Sequence, residues 1–177
     1  MLSRLPRKVD LTPFVLALLA SAAGAAYDVN DVTLGAAERD IKQRFPNAYC
    51  RALEWPSRAA DRRCDDSRIT FGGVDASVTF YLKRDSVEGF DVRFDHRDIA
   101  KVIDYLQSRY GKPLDVAASA NPEPSAKGES AAKGEAPVKV EWKSKDERAR
   151  LTSEPGRRRA SLLVWRGAFE EEIYKVR

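Results

Sequence analysis

Residues 69–94, ITFGGVDASVTFYLKRDSVEGFDVRF, decide how this chain folds. Val74, Ala76, Val78, Phe80 and Leu82 alternate with Asp75, Ser77, Thr79 and Tyr81. A period of two puts one set of side chains into a core and the other on the opposite face of a strand. Ile69 and Phe71 alternate with polar neighbours just before, and Gly72-Gly73 supplies the turn between the two runs. On the far side Lys83-Arg84-Asp85-Ser86 reverses the chain, and Phe90, Val92 and Phe94 repeat the alternation as an adjacent antiparallel strand.

Working outward, TLGAAERDIKQRF (33–45) sets Ala37, Ile41 and Phe45 on one face at helical spacing, and Pro46 stops the helix. After the strands, Ile99, Val102, Ile103, Leu106 and Tyr110 mark a second amphipathic helix, with Asp95 and Asp98 as its cap and acidic first turn. Gly111 and Pro113 end it. Residues 115–136, DVAASANPEPSAKGESAAKGEA, hold almost nothing that could be buried, which predicts a disordered loop. Order is expected to return over 137–177 as an antiparallel meander carried by Val138, Val140, Trp142, Ala149, Leu151, Ala160, Leu162 and Val164, with a turn at Glu154-Pro155-Gly156-Arg157. The tail, with Phe169, Ile173 and Val176, reads equally as a short helix or a last strand.

The beginning of the chain has a different character. Arg4, Arg7 and Lys8 precede the apolar run LTPFVLALLA (11–20), and the small residues SAAGAA follow. This is the order of a cleavable secretory signal over residues 1–26, with cleavage after Ala25 or after Ala26. The run is shorter than the roughly 20 residues that span a bilayer, so no stable membrane insertion is expected after cleavage. The destination is then the periplasm or the exterior.

Export governs the reading of Cys50 and Cys64, the only two cysteines of the 177 residues. In an oxidising compartment they are expected to form a disulfide closing an irregular loop rich in Arg and Asp. The remaining chain, about 150 residues, suffices for one domain with a real core, residues 27–114 giving the first helix-and-sheet repeat and the second helix. Setting aside Arg4, Arg7, Lys8 and Asp10, formal charge falls from +4 to about +2, which argues against nucleic acid as a partner.

The two halves share a plan. Ile41-Lys42-Gln43-Arg44-Phe45-Pro46 parallels Leu106-Gln107-Ser108-Arg109-Tyr110-Gly111, each a helix ending in an aromatic residue and a breaker before antiparallel strands. The expected fold class is α+β, two helix-plus-antiparallel-strand repeats with the helices packed on the sheet. Through LGAAERDIKQRFP, ITFGGVDASVTFYLKRDSVEGFDVRF, LQSRYGKP and Trp142, the chain resembles the tandem module of the β-lactamase inhibitor protein fold. Small outer-membrane assembly lipoproteins of the Gram-negative envelope share that resemblance. The chain departs from it in the 22-residue segment 115–136 and in having no lipidation cysteine. The resemblance implies a non-catalytic, protein-binding module, on fold analogy alone.

The side chains give little chemistry to set against that. His96 is the only histidine, no GxSxG elbow or phosphate-binding Gly-rich loop occurs, and zinc would lack ligands. Asp61, Asp65 and Asp66 are interleaved with Arg62 and Arg63, which reads as ion-paired surface, and Glu170 to Glu172 as a solvated face. No enzyme activity, metal or cofactor is therefore expected. Guanidinium groups grip carboxylates and phosphates in pairs of hydrogen bonds, so Arg62, Arg63, Arg157, Arg158 and Arg159 are the candidate partner-binding residues, with Trp55 as an aromatic anchor in the cystine loop. The functional expectation is an exported adaptor or protein-binding protein of the bacterial cell envelope, an inhibitor among its forms, with an envelope protein as partner. The alternative is a periplasmic binder of a small molecule or glycan lodged between sheet and helices.

Overall fold

The computed structural model describes residues 26–118 and 137–175. The leader up to residue 25 and positions 119–136 of the expected loop lie outside these. The fold is α+β and dominated by one eight-stranded antiparallel sheet. In chain order the elements are β1 (Asp28–Val29), β2 (Val32–Thr33), α1 (Glu38–Arg44), β3 (Tyr49–Ala52), β4 (Arg62–Phe71), β5 (Val74–Lys83) and β6 (Ser86–Asp95), then α2 (Ile99–Tyr110), β7 (Asp115–Ala118), β8 (Val138–Ser144), β9 (Glu147–Ser153), β10 (Arg159–Arg166) and α3 (Phe169–Glu172). The large sheet runs β3-β4-β5-β6-β10-β9-β8-β7, while β1 and β2 form a separate hairpin. From β6 the chain crosses by α2 to the far edge and works back until β10 lies against β6, Ser161 opposite Arg93 and Val164 opposite Phe90.

The alternation read in β5 is the organising fact. Val74, Ala76, Val78, Phe80 and Leu82 all face one core, with Phe71, Phe90, Val92, Phe94, Leu151, Leu162 and Val164 from neighbouring strands. The helices cover that face. Ile41 and Phe45 enter it from α1 and Val102 and Leu106 from α2, each 3 % exposed or less. Burying such side chains contributes roughly 1.5–3 kcal/mol apiece, the main source of stability for this layer pair. At Gly72, in the turn of positive φ between β4 and β5, a Cβ would sit 2.9 Å from the Tyr105 ring, so α2 can close over the turn only because no side chain is there.

Four expectations need correction. The expected loop does not include its first four residues: Asp115–Ala118 pairs antiparallel with Val138–Glu141 as the edge strand β7, held by backbone hydrogen bonds to that one neighbour. The cystine segment is not an irregular loop throughout: Cys50 and Cys64 are direct partners across β3 and β4, Arg62 to Asp66 are strand residues, and only the stretch between is loop. The first helix is shorter than 33–45 because Val32 and Thr33 belong to the β1–β2 hairpin, whose turn residues Asn30 and Asp31 both take positive φ. At the second helix Asp98 makes no side-chain cap; Asp95 accepts the Arg97 amide and caps a 3-10 turn, His96–Asp98, ahead of the helix. The tail question resolves as helix α3 over Phe169–Glu172. Among the described residues no helix is long and apolar enough to cross a membrane, which says nothing of strands.

Candidate binding face of the sheet

The residues that alternate with the core make the opposite face of the sheet. Register aligns them in rows: Arg63, Tyr81, Gly89 and Trp165; then Asp65, Thr79, Asp91 and Leu163; then Ser77, Arg93 and Ser161. The first row is covered. Phe169 of α3 and Ile173 at its C-terminal cap pack on Tyr81 and Trp165, joined by Leu53, Trp55 and Ala59 from the cystine loop. Gly89 makes this possible, since a Cβ there would lie 2.7 Å from the Phe169 ring. Desolvation by this cover pushes the Tyr81 phenol well above its ordinary range.

The second row holds the hydrogen-bonded carboxylates of this face, one of them buried. Asp91 is 7 % exposed, and its carboxylate accepts hydrogen bonds from Arg93 Nε at 2.7 Å and from the Ser161 hydroxyl. Its charge holds the Arg93 guanidinium firmly protonated. Asp65 likewise accepts from Thr79 Oγ1 at 2.8 Å and Arg63 Nε at 2.9 Å. A carboxylate buried beside an arginine fixes where that guanidinium points.

Beyond the third row the face is open. Gly156 turns the chain, Arg157, Arg158 and Arg159 follow it exposed, and the β6–β10 register sets Arg159 opposite Asp95. A hollow of about 630 Å³ is lined by Arg93, Thr152, Glu154 and the three arginines. A neighbouring hollow of about 320 Å³ shares Arg93, Arg158 and Arg159 and adds Ser67, Asp75, Ser77 and Asp95. Arg157 pairs with Glu154 at 2.9 Å, but the guanidinium groups of Arg158 and Arg159 make no ion pair among the described residues. The turn is anchored at its backbone, where the His96 amide donates to the Arg158 carbonyl at 3.0 Å. His96 is thus a half-buried turn residue at the rim.

The other candidate residues fall elsewhere. Arg62 binds Glu38 at 2.8 Å on the helix side of the sheet, and Glu38, bonded also by Lys42, is held below the usual carboxylate range. Arg63 is ion-paired with Glu54 and Asp65 in the covered row, six strand positions and roughly 20 Å from the Arg159 row. Trp55 is half-buried; its Nε1 donates to the Ile173 carbonyl at 2.8 Å and its ring stacks on Tyr174. It anchors α3 instead of presenting a free ring. The disulfide between Cys50 and Cys64 is present, and although Glu38 lies beside it, both sulfurs are bonded to each other and the carboxylate is engaged by two cations. Arg93 and Thr152 have no local mark in the sequence, because only the pairing of β10 with β6 and with β9 sets them beside Ser161 and the arginine turn.

This geometry can hold an extended anionic group: Arg93 and Arg159 stand on adjacent strands with Arg157 and Arg158 at the turn, and the guanidinium groups of Arg158 and Arg159 make no ion pair among the described residues. Comparison of the chain with protein-family models, with curated proteins and with solved structures finds no match in any of the three.

Proposed function

We propose that this chain is an exported, non-enzymatic binding protein of the bacterial cell envelope that works without a cofactor, and that its open sheet face docks on an acidic surface of another envelope protein. The observation that carries the reading is the hollow bordered by Arg93, Arg158 and Arg159 on the uncovered end of the face. Arg is less strongly hydrated than Lys and binds carboxylates bidentately, so a partner's Asp and Glu side chains are its natural complement. Blocking that partner's own surface would make the protein an inhibitor; bridging it to a third would make it an adaptor.

Three further observations support the reading. The sheet order has β3-β4-β5-β6 on one side of the β6–β10 seam and β10-β9-β8-β7 on the other, each preceded by a helix, as two helix-plus-strand repeats of a tandem inhibitor-like module would. The disulfide is compatible with an oxidising compartment, periplasmic or external. Between sheet and helices, where a small ligand or glycan would lodge, Phe71, Phe80, Phe90, Leu82 and Leu106 are all 1 % exposed or less, which favours the protein partner over that alternative.

The test is capture from envelope extract by the purified protein and by an Arg158→Glu/Arg159→Glu variant, which leaves the Arg93–Asp91 pair intact. A partner is expected that is retained stoichiometrically at low salt, released as salt rises, and lost with the variant while its circular dichroism is unchanged. Equal capture by both proteins would overturn the reading. A small molecule seen by native mass spectrometry on protein from its own compartment would favour the alternative.

A further inference from the structure

At the start of the described residues, burial changes within one position. Ala26 is exposed, whereas Tyr27 is 2 % exposed, its ring edge-on to Tyr110 with centroids 4.7 Å apart. The next residue is tied in as well. Asp28 is 6 % exposed and accepts hydrogen bonds from Arg109 Nη2 at 2.7 Å and Tyr110 Oη at 2.8 Å. The Tyr27 backbone nitrogen lies 3.2 Å from Glu147 Oε2, at the start of β9 and 120 residues along the chain. A neutral amide offers that carboxylate one hydrogen. An α-ammonium would offer three and a positive charge.

We infer that the leader is cut between Ala26 and Tyr27 and that the new Tyr27 α-ammonium forms an ion pair with Glu147. The inference rests on the export reading and chooses between its two cleavage points. Gly24 and Ala26 then stand third and first before the cut, both small as a leader peptidase requires. In the hydrolysis water adds across the Ala26–Tyr27 amide: the Ala26 carbonyl carbon takes the hydroxyl and leaves as a carboxylate, and the Tyr27 nitrogen takes a proton. At neutral pH that amine, with an ordinary pKa near 8, takes a second proton as the ammonium. Cleavage comes before folding, during translocation, so the later burial of Tyr27 does not obstruct it. Cutting after Ala25 would leave the charge one residue out from Glu147 and the amide contact unaltered. The ion pair would tie the first hairpin to the β8–β9 turn, across the two halves of the chain.

The experiment is N-terminal sequencing and intact mass of the protein exported by its own leader. A start at Tyr27 is expected; a start at Ala26 or further on overturns the inference and leaves export standing, while a retained leader overturns both. A second arm compares chains beginning at Tyr27 and at Ala26, released from a fusion. The Tyr27 chain is expected to have an unfolding equilibrium constant about two- to fivefold smaller, the range of a partly exposed pair, and Glu147→Gln to erase that difference. A difference that survives Glu147→Gln, or none at all in the unaltered chains, overturns the ion pair.

Discussion

The two faces of the sheet are written by the same alternation and differ in almost everything else. On one, Val78, Phe80, Phe90 and Val92 are at most 2 % exposed beneath the helices; on the other, their immediate neighbours Thr79, Asp91 and Arg93 form a hydrogen-bonded polar layer. The first set packs along the whole length of the strands, the second only where α3 covers Tyr81 and Trp165. The character of the second set changes along the strands: aromatic and buried around Gly89, where α3 lies, and cationic and exposed at the opposite end. Covered and open ends of one face therefore separate what holds the molecule together from what is left to meet a partner.

The greatest contrast is expected between adjacent residues of β5. Phe80→Ala should lower unfolding free energy by about 3–5 kcal/mol, the cost of an aromatic-sized cavity in a packed core. Thr79→Ala, which removes only the hydroxyl bonded to Asp65, should cost about 1 kcal/mol. Urea denaturation of the two variants measures both, and equal losses would show that the faces are not distinct in the way argued. Next comes the cross-strand bond at the sheet's edge. Cys50→Ala/Cys64→Ala frees a loop with a sequence separation of 14 and should cost about 3 kcal/mol, read in the same denaturation series. The loss should centre on the cystine loop, exposing Trp55 to fluorescence quenchers.

Gly89→Ala probes the covered end alone. Its Cβ would meet the Phe169 ring at 2.7 Å, so α3 must shift or lift at a cost of about 1–3 kcal/mol. Fluorescence of Trp55 and Trp165 should report the change, with Trp142, on the core face, unaffected. A weaker dependence comes from pH. Desolvation first, then the Glu147 charge, pushes the Tyr27 phenol up to about 12, and burial also raises those of Tyr81 and Tyr110. The unfolded chain loses these protons near pH 10, before the folded one does, so stability is fully present below about pH 10 and falls as pH climbs toward 12. Tyr27→Phe should flatten part of that alkaline fall in denaturation curves recorded between pH 9 and 11.5.

Much of the covered face was legible in the sequence, because apolar periodicity is local: Val74 to Leu82 announce a strand and Ile99 to Tyr110 a helix without reference to anything distant. What escaped depended on partners elsewhere. Asn30-Asp31 turns a hairpin with residues that tolerate positive φ, but the strands it joins are two residues each, too short to show a period. Arg62-Arg63-Cys64-Asp65-Asp66 reads as loop because it is charged, yet Arg63 and Asp65 answer each other along a strand. The site divides likewise. Arg157 to Arg159 are visible as a charge run, whereas Arg93 joins them only through pairing with Ser161, 68 positions away. Trp55 errs in the other direction, since the carbonyl that satisfies its indole belongs to Ile173.

The smallest expected effect on stability is the most telling. Arg158→Glu/Arg159→Glu alters two exposed side chains that close no ion pair among the described residues, so unfolding free energy should move by no more than about 0.5 kcal/mol. If those arginines are there for a partner, the same change should reduce binding at least tenfold, because it both removes bidentate donors and sets like charges against an acidic surface. Titration calorimetry against the captured partner reads the second quantity and urea denaturation the first. Unchanged stability with unchanged affinity would make the arginine turn solubilising surface and overturn the docking reading. A large stability loss would mean that the open end supports the fold after all, and the division between the two ends would fail.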